Sequence, residues 1–273
     1  MISRAEQIGN YAVLTLFSLL ALAPIVALVL TALRPSEALG VGFSFPHSLH
    51  FRNFVDAWHT GEFSSGLRSS AIVTGATVAI ATTLAVPAGY ALGTMRFRGD
   101  TLIFSVFLIG LIMPFEATII PLYYDLRRFQ LTDSYWGVIL PSAALSVAFG
   151  TFWMRAFFLS TPRSLIEAAT IDGATSWRIL VSILLPFARP AILTMMVLTF
   201  LWTWNDFLLS LVMLSNPDIQ TAPLKLALFQ GRYTTDVTGL AAGSTIVALP
   251  VVAVYLVLQR HFIRGVLSGA VKG

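Results

Sequence analysis

The residues best equipped for chemistry lie in Trp202-Thr203-Trp204-Asn205-Asp206-Phe207. An acid inside a membrane-scale apolar run is costly and is by default a functional candidate. Asp206 offers acceptors, and Asn205 adds donors, the set that sugar hydroxyls require. Trp202 and Trp204 offer flat faces on which the apolar side of a sugar ring can stack. Packing is the competing reading: Asn205 and Asp206 would bond to a neighbouring helix while the indoles sit at an interface. Glu116, after Met113-Pro114-Phe115, is the other acid in an apolar run. Either it faces a translocation path, or it pairs with a cation such as Arg127 near the outer surface. The pairing, or an interfacial position, is the favoured reading.

Other chemistries are poorly served. Cysteine is absent, so there is no disulfide framework, thiolate nucleophile or cysteine metal site. Lys225 and Lys272 are the only lysines, and neither sits in a Gly-x-x-x-x-Gly-Lys-Ser/Thr loop, so the chain cannot bind ATP in the P-loop manner. His47, His50 and His59 share one polar stretch, but no carboxylate or cysteine pattern accompanies them as a metal site would need. His261 stands alone at the end of the last apolar run, and no serine is paired with a general base at readable spacing. No catalytic residue and no metal ligand is assigned, and the chain is read as a non-enzyme. The formal charge of +4 is spread singly or in pairs without interleaved aromatics, which speaks against nucleic acid as a partner.

The elements that position these residues follow from composition. The chain is 56% hydrophobic and 11% charged, where a soluble domain carries roughly 25% charged residues. Runs of about 20 apolar residues cross a bilayer, and six are legible: Tyr11 to Leu33, Ser69 to Gly93, Thr101 to Leu122 (interrupted by Pro114 and Pro121), Gly137 to Leu159, Phe187 to Leu214 and Leu240 to Leu258. Ala21-Leu22-Ala23 mimics a signal cleavage site, but the first run exceeds the roughly 7–15 residues of a signal core and is read as a retained span. An even number of spans puts both termini on one side. That side holds Arg4, Arg96, Arg98, Arg155, Arg163, Arg178, Arg189, Arg260, Arg264 and Lys272, ten basic residues against seven opposite. The bias has the sign expected of cytoplasmic termini.

Between the fourth and fifth runs stands Glu167-Ala168-Ala169-Thr170-Ile171-Asp172-Gly173, followed by Ile183-Leu184-Leu185-Pro186. Thr161-Pro162 reads as an N-cap with proline at the first helical position. Leu165, Ala168, Ala169 and Asp172 then share one face, and Gly173 supplies a left-handed terminus. The expected helix has about three turns and is roughly 15 Å long. Its small residues let a partner's backbone approach closely, as a helix lying in a groove requires. The bland alternative is a surface helix that touches nothing. The pattern Glu-Ala-Ala, three residues, Gly, nine residues, Ile, one residue, Leu-Pro resembles the signature loop, the EAA motif, of bacterial ABC importer permeases. Trp204-Asn205-Asp206 and the tail from Gln259 to Gly273 are similar to the maltose-type carbohydrate group.

This resemblance covers nearly the whole chain. It implies an all-α membrane protein of the type I ABC importer permease fold, with six transmembrane helices and cytoplasmic N and C termini. Residues 1–65 would form a leader, first transmembrane helix and first external loop; 66–261 the permease core; 262–273 a cytoplasmic tail. The implied function is that of an inner-membrane permease subunit in an ATP-driven, binding-protein-dependent sugar importer. It would form half of the pathway and couple to the ATPase through the loop 161–186. The implied partners are a second, homologous permease subunit, two ATP-binding subunits, an extracytoplasmic solute-binding protein, a sugar and membrane lipid. The chain itself would bind no cofactor, ATP and Mg residing on the ATPase subunits. By the same resemblance, Glu167, Ala168, Ala169, Asp172 and Gly173 meet the ATPase. Arg264 and Lys272 of the tail reach the ATPase pair, although a frayed terminus would also suit its Gly, Ser and Ala residues. Pro223 and Tyr233, in the loop from Ser215 to Gly239, face the binding protein. A self-sufficient secondary transporter or channel, with Asp206 as a proton site, is the alternative; no internal repeat supports it.

Overall fold

The computed structural model describes residues 4–35, 48–231 and 235–270; for residues 5 and 260–270 the backbone alone is described. With no water to satisfy backbone polar groups in a bilayer, helices are the natural solution for such an apolar chain. Among the described residues the architecture is helical apart from one isolated bridge, Gln230 to Thr235. The helices are α1 (Arg4–Ala32), α2 (Arg52–Thr60), α3 (Phe63–Thr94), α4 (Asp100–Ile112), α5 (Phe115–Arg128), α6 (Tyr135–Leu159), α7 (Arg163–Ile171), α8 (Ser176–Arg178), α9 (Leu185–Trp204), α10 (Leu208–Met213), α11 (Ala222–Lys225) and α12 (Val237–Ala270). A π-helical segment, Ile179–Leu184, joins α8 to α9. Pro186 has no N–H, and its ring would crowd the carbonyl four residues back; the wider π turn just before it relieves that conflict.

Several expected boundaries move. Among the described residues, five helices are long and apolar enough to cross a membrane, or six if the pair α4 and α5 counts as one span. That pair is bent by 99°. The break falls at Met113 and Pro114, both extended, whereas α5 continues through Pro121. Proline disfavours the helical conformation in the residue before it; of these two prolines, the chain leaves the helix only before Pro114. The fifth span ends at Trp204 instead of reaching Leu214, because Asn205 leaves the helical path. The polar stretch after the first span is not all loop; it carries α2.

The chain divides into two compact units. The first comprises residues 1–64 and 225–250. In it, Asn53 Nδ2 donates to the carbonyls of Ala32 at 2.9 Å and Arg34 at 2.6 Å, tying α2 to the end of α1. Phe63, fully buried, stacks on Phe229 with centroids 6.2 Å apart. Lys225 is buried and bonds Glu62, which keeps its charge paired. The apolar surface of α1 is exposed along most of its length, as suits a helix whose neighbours are lipid or another chain.

The second unit comprises residues 65–224 and 251–273. Glycines let α3 and α6 touch backbone to backbone. A Cβ on Gly89 would meet Met154 Cβ at 2.6 Å and Arg155 N at 2.9 Å, and one on Gly93 would meet Phe158 Cβ at 3.0 Å. Close approach through small residues four apart is the usual substitute for hydrophobic driving force between membrane helices. One core gathers Val73, Leu126, Val138, Ile139, Leu209 and Met213. The other gathers Ala85, Tyr90, Met154, Phe158, Ala169, Leu184 and Met195. Asp133 pins the α5–α6 turn to the chain after α10: its carboxylate accepts from Ser215 N at 2.9 Å and Asn216 N at 2.7 Å.

Candidate functional site

The signature helix α7 is nine residues long, which at the usual rise is about 13 Å. It starts one residue later than the capping pattern suggests: Pro162 holds the N-cap position without a side-chain bond. Thr161 instead finishes α6, its Oγ1 donating to Phe157 O at 3.4 Å. The other end is as the glycine predicts. Gly173 sits at φ +77, its N–H donates to Thr170 O, and Ala174 N–H donates to Ala169 O, both at 3.0 Å. This paired arrangement satisfies carbonyls the helix would leave open. Thr175 then accepts from Arg178 N at 3.4 Å, starting the next helix.

The small face of α7 divides differently from its sequence spacing. Ala169 is buried, with Ile166 and Ala174 partly buried beside it, in the core shared with Tyr90 of α3, Phe158 of α6 and Ile179, Leu180 and Leu184 before α9. Leu165, Glu167, Ala168 and Asp172 are exposed. Ile171 is 86% and Trp177 68% exposed, so the outward surface around them is apolar. The helix is thus fastened on one side to three long helices and open on the other. Trp153 reinforces the platform, its Nε1 donating to Ala191 O at 3.0 Å across α6 and α9.

At the far end of α9 lies a cavity of about 300 Å³. Trp202, Thr203 and Asp206 border it, facing Ser142, Ser146 and Phe149 of α6. Leu111 and Phe115, from either side of the break at Pro114, also border it. The indole of Trp202 meets Phe149 edge to face at 4.7 Å. Asp206 Oδ2 accepts from Ser210 N at 3.1 Å and Ser210 Oγ at 3.3 Å, capping α10. Asn205 Nδ2 donates to Leu201 O at 2.7 Å, closing α9. The expected bonds of Asn205 and Asp206 to a neighbouring helix are therefore replaced by bonds to their own helix ends. A carboxylate has about four acceptor positions, so Asp206 keeps capacity toward the cavity. The lining holds one acid, two serines, a threonine and three aromatic side chains, with no basic residue. Such a lining suits a neutral polyhydroxy solute better than an anion.

The remaining candidates fall elsewhere. Trp204 is buried and stacks on Phe200 at 5.4 Å, so it does not line the cavity. Glu116 is exposed in the first turn of α5 and makes no ion pair with Arg127; Asp125 pairs with Arg128 instead. A carboxylate in a first helical turn is favoured by the helix dipole, which accounts for its place without a partner. Pro223 is buried in α11, so it offers no surface to a binding protein. Tyr233 and Lys272 lie outside the described residues, as does the side chain of Arg264. Ser142, Ser146 and Phe149 were not singled out from the sequence. Their spacing along α6 puts them on one face, but none is ionisable, and that face became informative only opposite Trp202 and Asp206.

If solute passes through this cavity, Trp202→Ala is expected to slow transport about tenfold, the loss of a little over 1 kcal/mol of stacking. Trp204→Phe should leave transport within about twofold, since ring packing is retained. Uptake of labelled solute into vesicles under saturating conditions measures both.

Similar proteins identify the family. Residues 85–268 match the family described as "Binding-protein-dependent transport system inner membrane component". The probable ABC transporter permease protein YurM of Bacillus subtilis is 35% identical over 251 residues, which is 92% of this chain and 83% of that protein. The arabinooligosaccharides transport system permease protein AraQ of the same species is 34% identical and aligned over 100% of both chains. The trehalose transport system permease protein SugB of Mycobacterium tuberculosis is 31% identical over 93% of each. The crystal structure of a bacterial ABC transporter involved in the import of the acidic polysaccharide alginate contains a chain that superposes with TM-score 0.79 at 25% identity, covering 96% of this chain and 99% of that one. On the family match over most of its length and on these identities, the chain belongs to the binding-protein-dependent transport system inner membrane components.

Proposed function

We propose that this chain is one half of the translocation pathway of an ATP-driven sugar importer in the bacterial inner membrane. The observation that carries the reading is the attachment of α7. Its Ala169 side is built into the core of α3, α6 and the start of α9, and its Ala168 and Glu167 side is open. A push on the open side would move the three long helices together. The related permeases named for arabinooligosaccharides and trehalose support a sugar as the solute, and the lining at Trp202 and Asp206 has the matching chemistry. The partners in this reading are a second, homologous permease, two cytoplasmic subunits carrying ATP and Mg, and an extracytoplasmic binding protein that delivers the sugar. α7 faces the cytoplasm in this reading. ATP and the loaded binding protein act only through their differential affinity for the two states of the pathway.

Purification in mild detergent tests the assembly. A second permease and a P-loop ATPase should accompany this chain, and loaded binding protein should stimulate ATP hydrolysis. A chain that purifies alone and moves solute on a proton gradient without ATP would establish the secondary-transporter alternative.

Coupling has its own test. Gly173→Val forces a β-branched residue into the left-handed region, at a cost of at least about 1–2 kcal/mol. Transport is expected to fall at least about tenfold, with ATP hydrolysis no longer raised by the loaded binding protein. Glu167→Lys reverses the charge on the open side and should weaken ATPase retention. Wild-type transport in both variants would remove α7 from the coupling role.

A further inference from the structure

A second cavity, of about 530 Å³, opens between the ends of α3, α4 and α6 and the first turns of α7. Three arginines line it: Arg96 after α3, Arg155 one turn before the end of α6, and Arg163 at the start of α7. Two acids, Asp100 and Glu167, also line it, leaving one net positive charge. Asp100 is engaged locally, its Oδ1 accepting from Thr101 N at 2.6 Å and Thr101 Oγ1 at 3.1 Å. Among the described residues no ion pair joins any of these arginines to an acid.

Arg155 is the most constrained of the three. Its Nε donates to Leu92 O at 3.2 Å, and its guanidinium lies 3.9 Å from the centroid of the Phe104 ring. A guanidinium fixed by a backbone carbonyl and an aromatic face keeps its remaining N–H groups pre-aimed, which reduces the ordering needed to grip a two-oxygen anion. Arg155 is half-buried, while Arg96 and Arg163 are exposed to the opening, so an anion from outside the chain can reach all three and is favoured by their charge. The ends of two membrane-scale helices, α3 and α6, bound the cavity together with the start of α4, and in the proposed orientation such span ends lie at headgroup depth. Apolar residues, among them Leu92, Phe158 and Ile166, alternate in the lining with the arginines and threonines, a mixture that suits a glycerophosphate with its acyl chains attached. Leu102, Val106 and Ile109 of α4, the helix whose first residue lines the cavity, are exposed.

We infer that this cavity is a site for the phosphate of an anionic phospholipid of the cytoplasmic leaflet, seated between the ends of the spans and α7. The inference rests on the proposed orientation, in which α7 faces the cytoplasm. A lipid seated there would brace Arg163 of α7 against Arg155 of α6, so the mobility of the signature helix would depend on membrane composition.

The assembled complex should be purified in mild detergent and its retained lipid quantified by mass spectrometry, for the wild type and for Arg96→Gln, Arg163→Gln and the double variant. Arg155→Gln serves as a fourth variant, although it also removes the contact with Phe104. Phosphatidylglycerol is expected to be enriched over the bulk membrane in the wild type and reduced about tenfold in the double variant, the loss of one or two charge-assisted bonds. Retained lipid of bulk composition, unchanged in every variant, would overturn the site. Inorganic phosphate that raises the wild-type melting temperature, but not that of the double variant, with no retained lipid, would show a free anion in place of the lipid and overturn the membrane source. A cross-link from Arg163→Cys to the ATPase, again with no lipid, would assign the cavity to the protein partner. ATPase co-purification in the same samples reports separately on the proposed function, so the two can fail independently.

Discussion

Replacing Ala169 by aspartate is expected to abolish transport while the apolar helices still insert. Ala169 is buried in the core that also holds Phe158, Ile179, Leu180 and Leu184, and none of these can hydrogen-bond a carboxylate. An uncompensated acid there costs several kcal/mol, about 3 or more. The helix has only nine residues and cannot stand alone in water, so it would detach from the platform before it tolerated that charge. The control is its neighbour. Ala168→Asp puts the same group on the exposed side, where it meets solvent. It should leave the melting temperature of the permease within a few degrees and act only on retention of the ATPase. Measuring thermal stability in detergent, ATPase retention and vesicle uptake for both variants separates attachment from docking. Equal stability of the two would contradict the burial of Ala169.

Gly89→Leu is expected to have the other large effect, and by a different route. The Cβ alone would stand 2.9 Å from the backbone nitrogen of Arg155, an atom that cannot move without shifting α6. Even Gly89→Ala should lower stability by about 1–3 kcal/mol, the usual range for overpacking. Leucine adds three more carbons at the same contact and should leave little assembled permease. Separating α3 from α6 would also loosen the core that seats α7, so transport and ATPase retention should fall together. Gly75, with nothing within 4 Å of a built Cβ, is the comparison on the same helix: Gly75→Ala should be neutral or slightly stabilising. Yield of the assembled complex and its melting temperature decide the matter.

Much of this molecule is legible in its sequence, because bilayer physics is demanding at short range. Each apolar run must satisfy its own backbone, so helices follow from composition alone. The end of α7 follows from Gly173, because a left-handed residue closes a helix in one way that few side chains allow. The spacing from Glu167 to Pro186 carries the family. What stayed hidden depends on which neighbours packing brings to each side chain. Ala168 and Ala169 are chemically identical, and only the approach of Phe158 and Leu184 makes one core and the other surface. Trp202 and Trp204 read alike, yet Phe149 turns one toward a cavity and Phe200 takes the other. Prolines recur within six of the long helices and do not break them. At Pro114 the chain turns by 99°, because Met113 is extended there as well. Arg155 looked like one more basic residue at a span end until α4 laid Phe104 against it. Residue type and spacing settled where the long apolar helices run and which family they form, though not α2 or the break at Pro114. Tertiary packing decided which side of each helix is buried, because that depends on where the other helices stand.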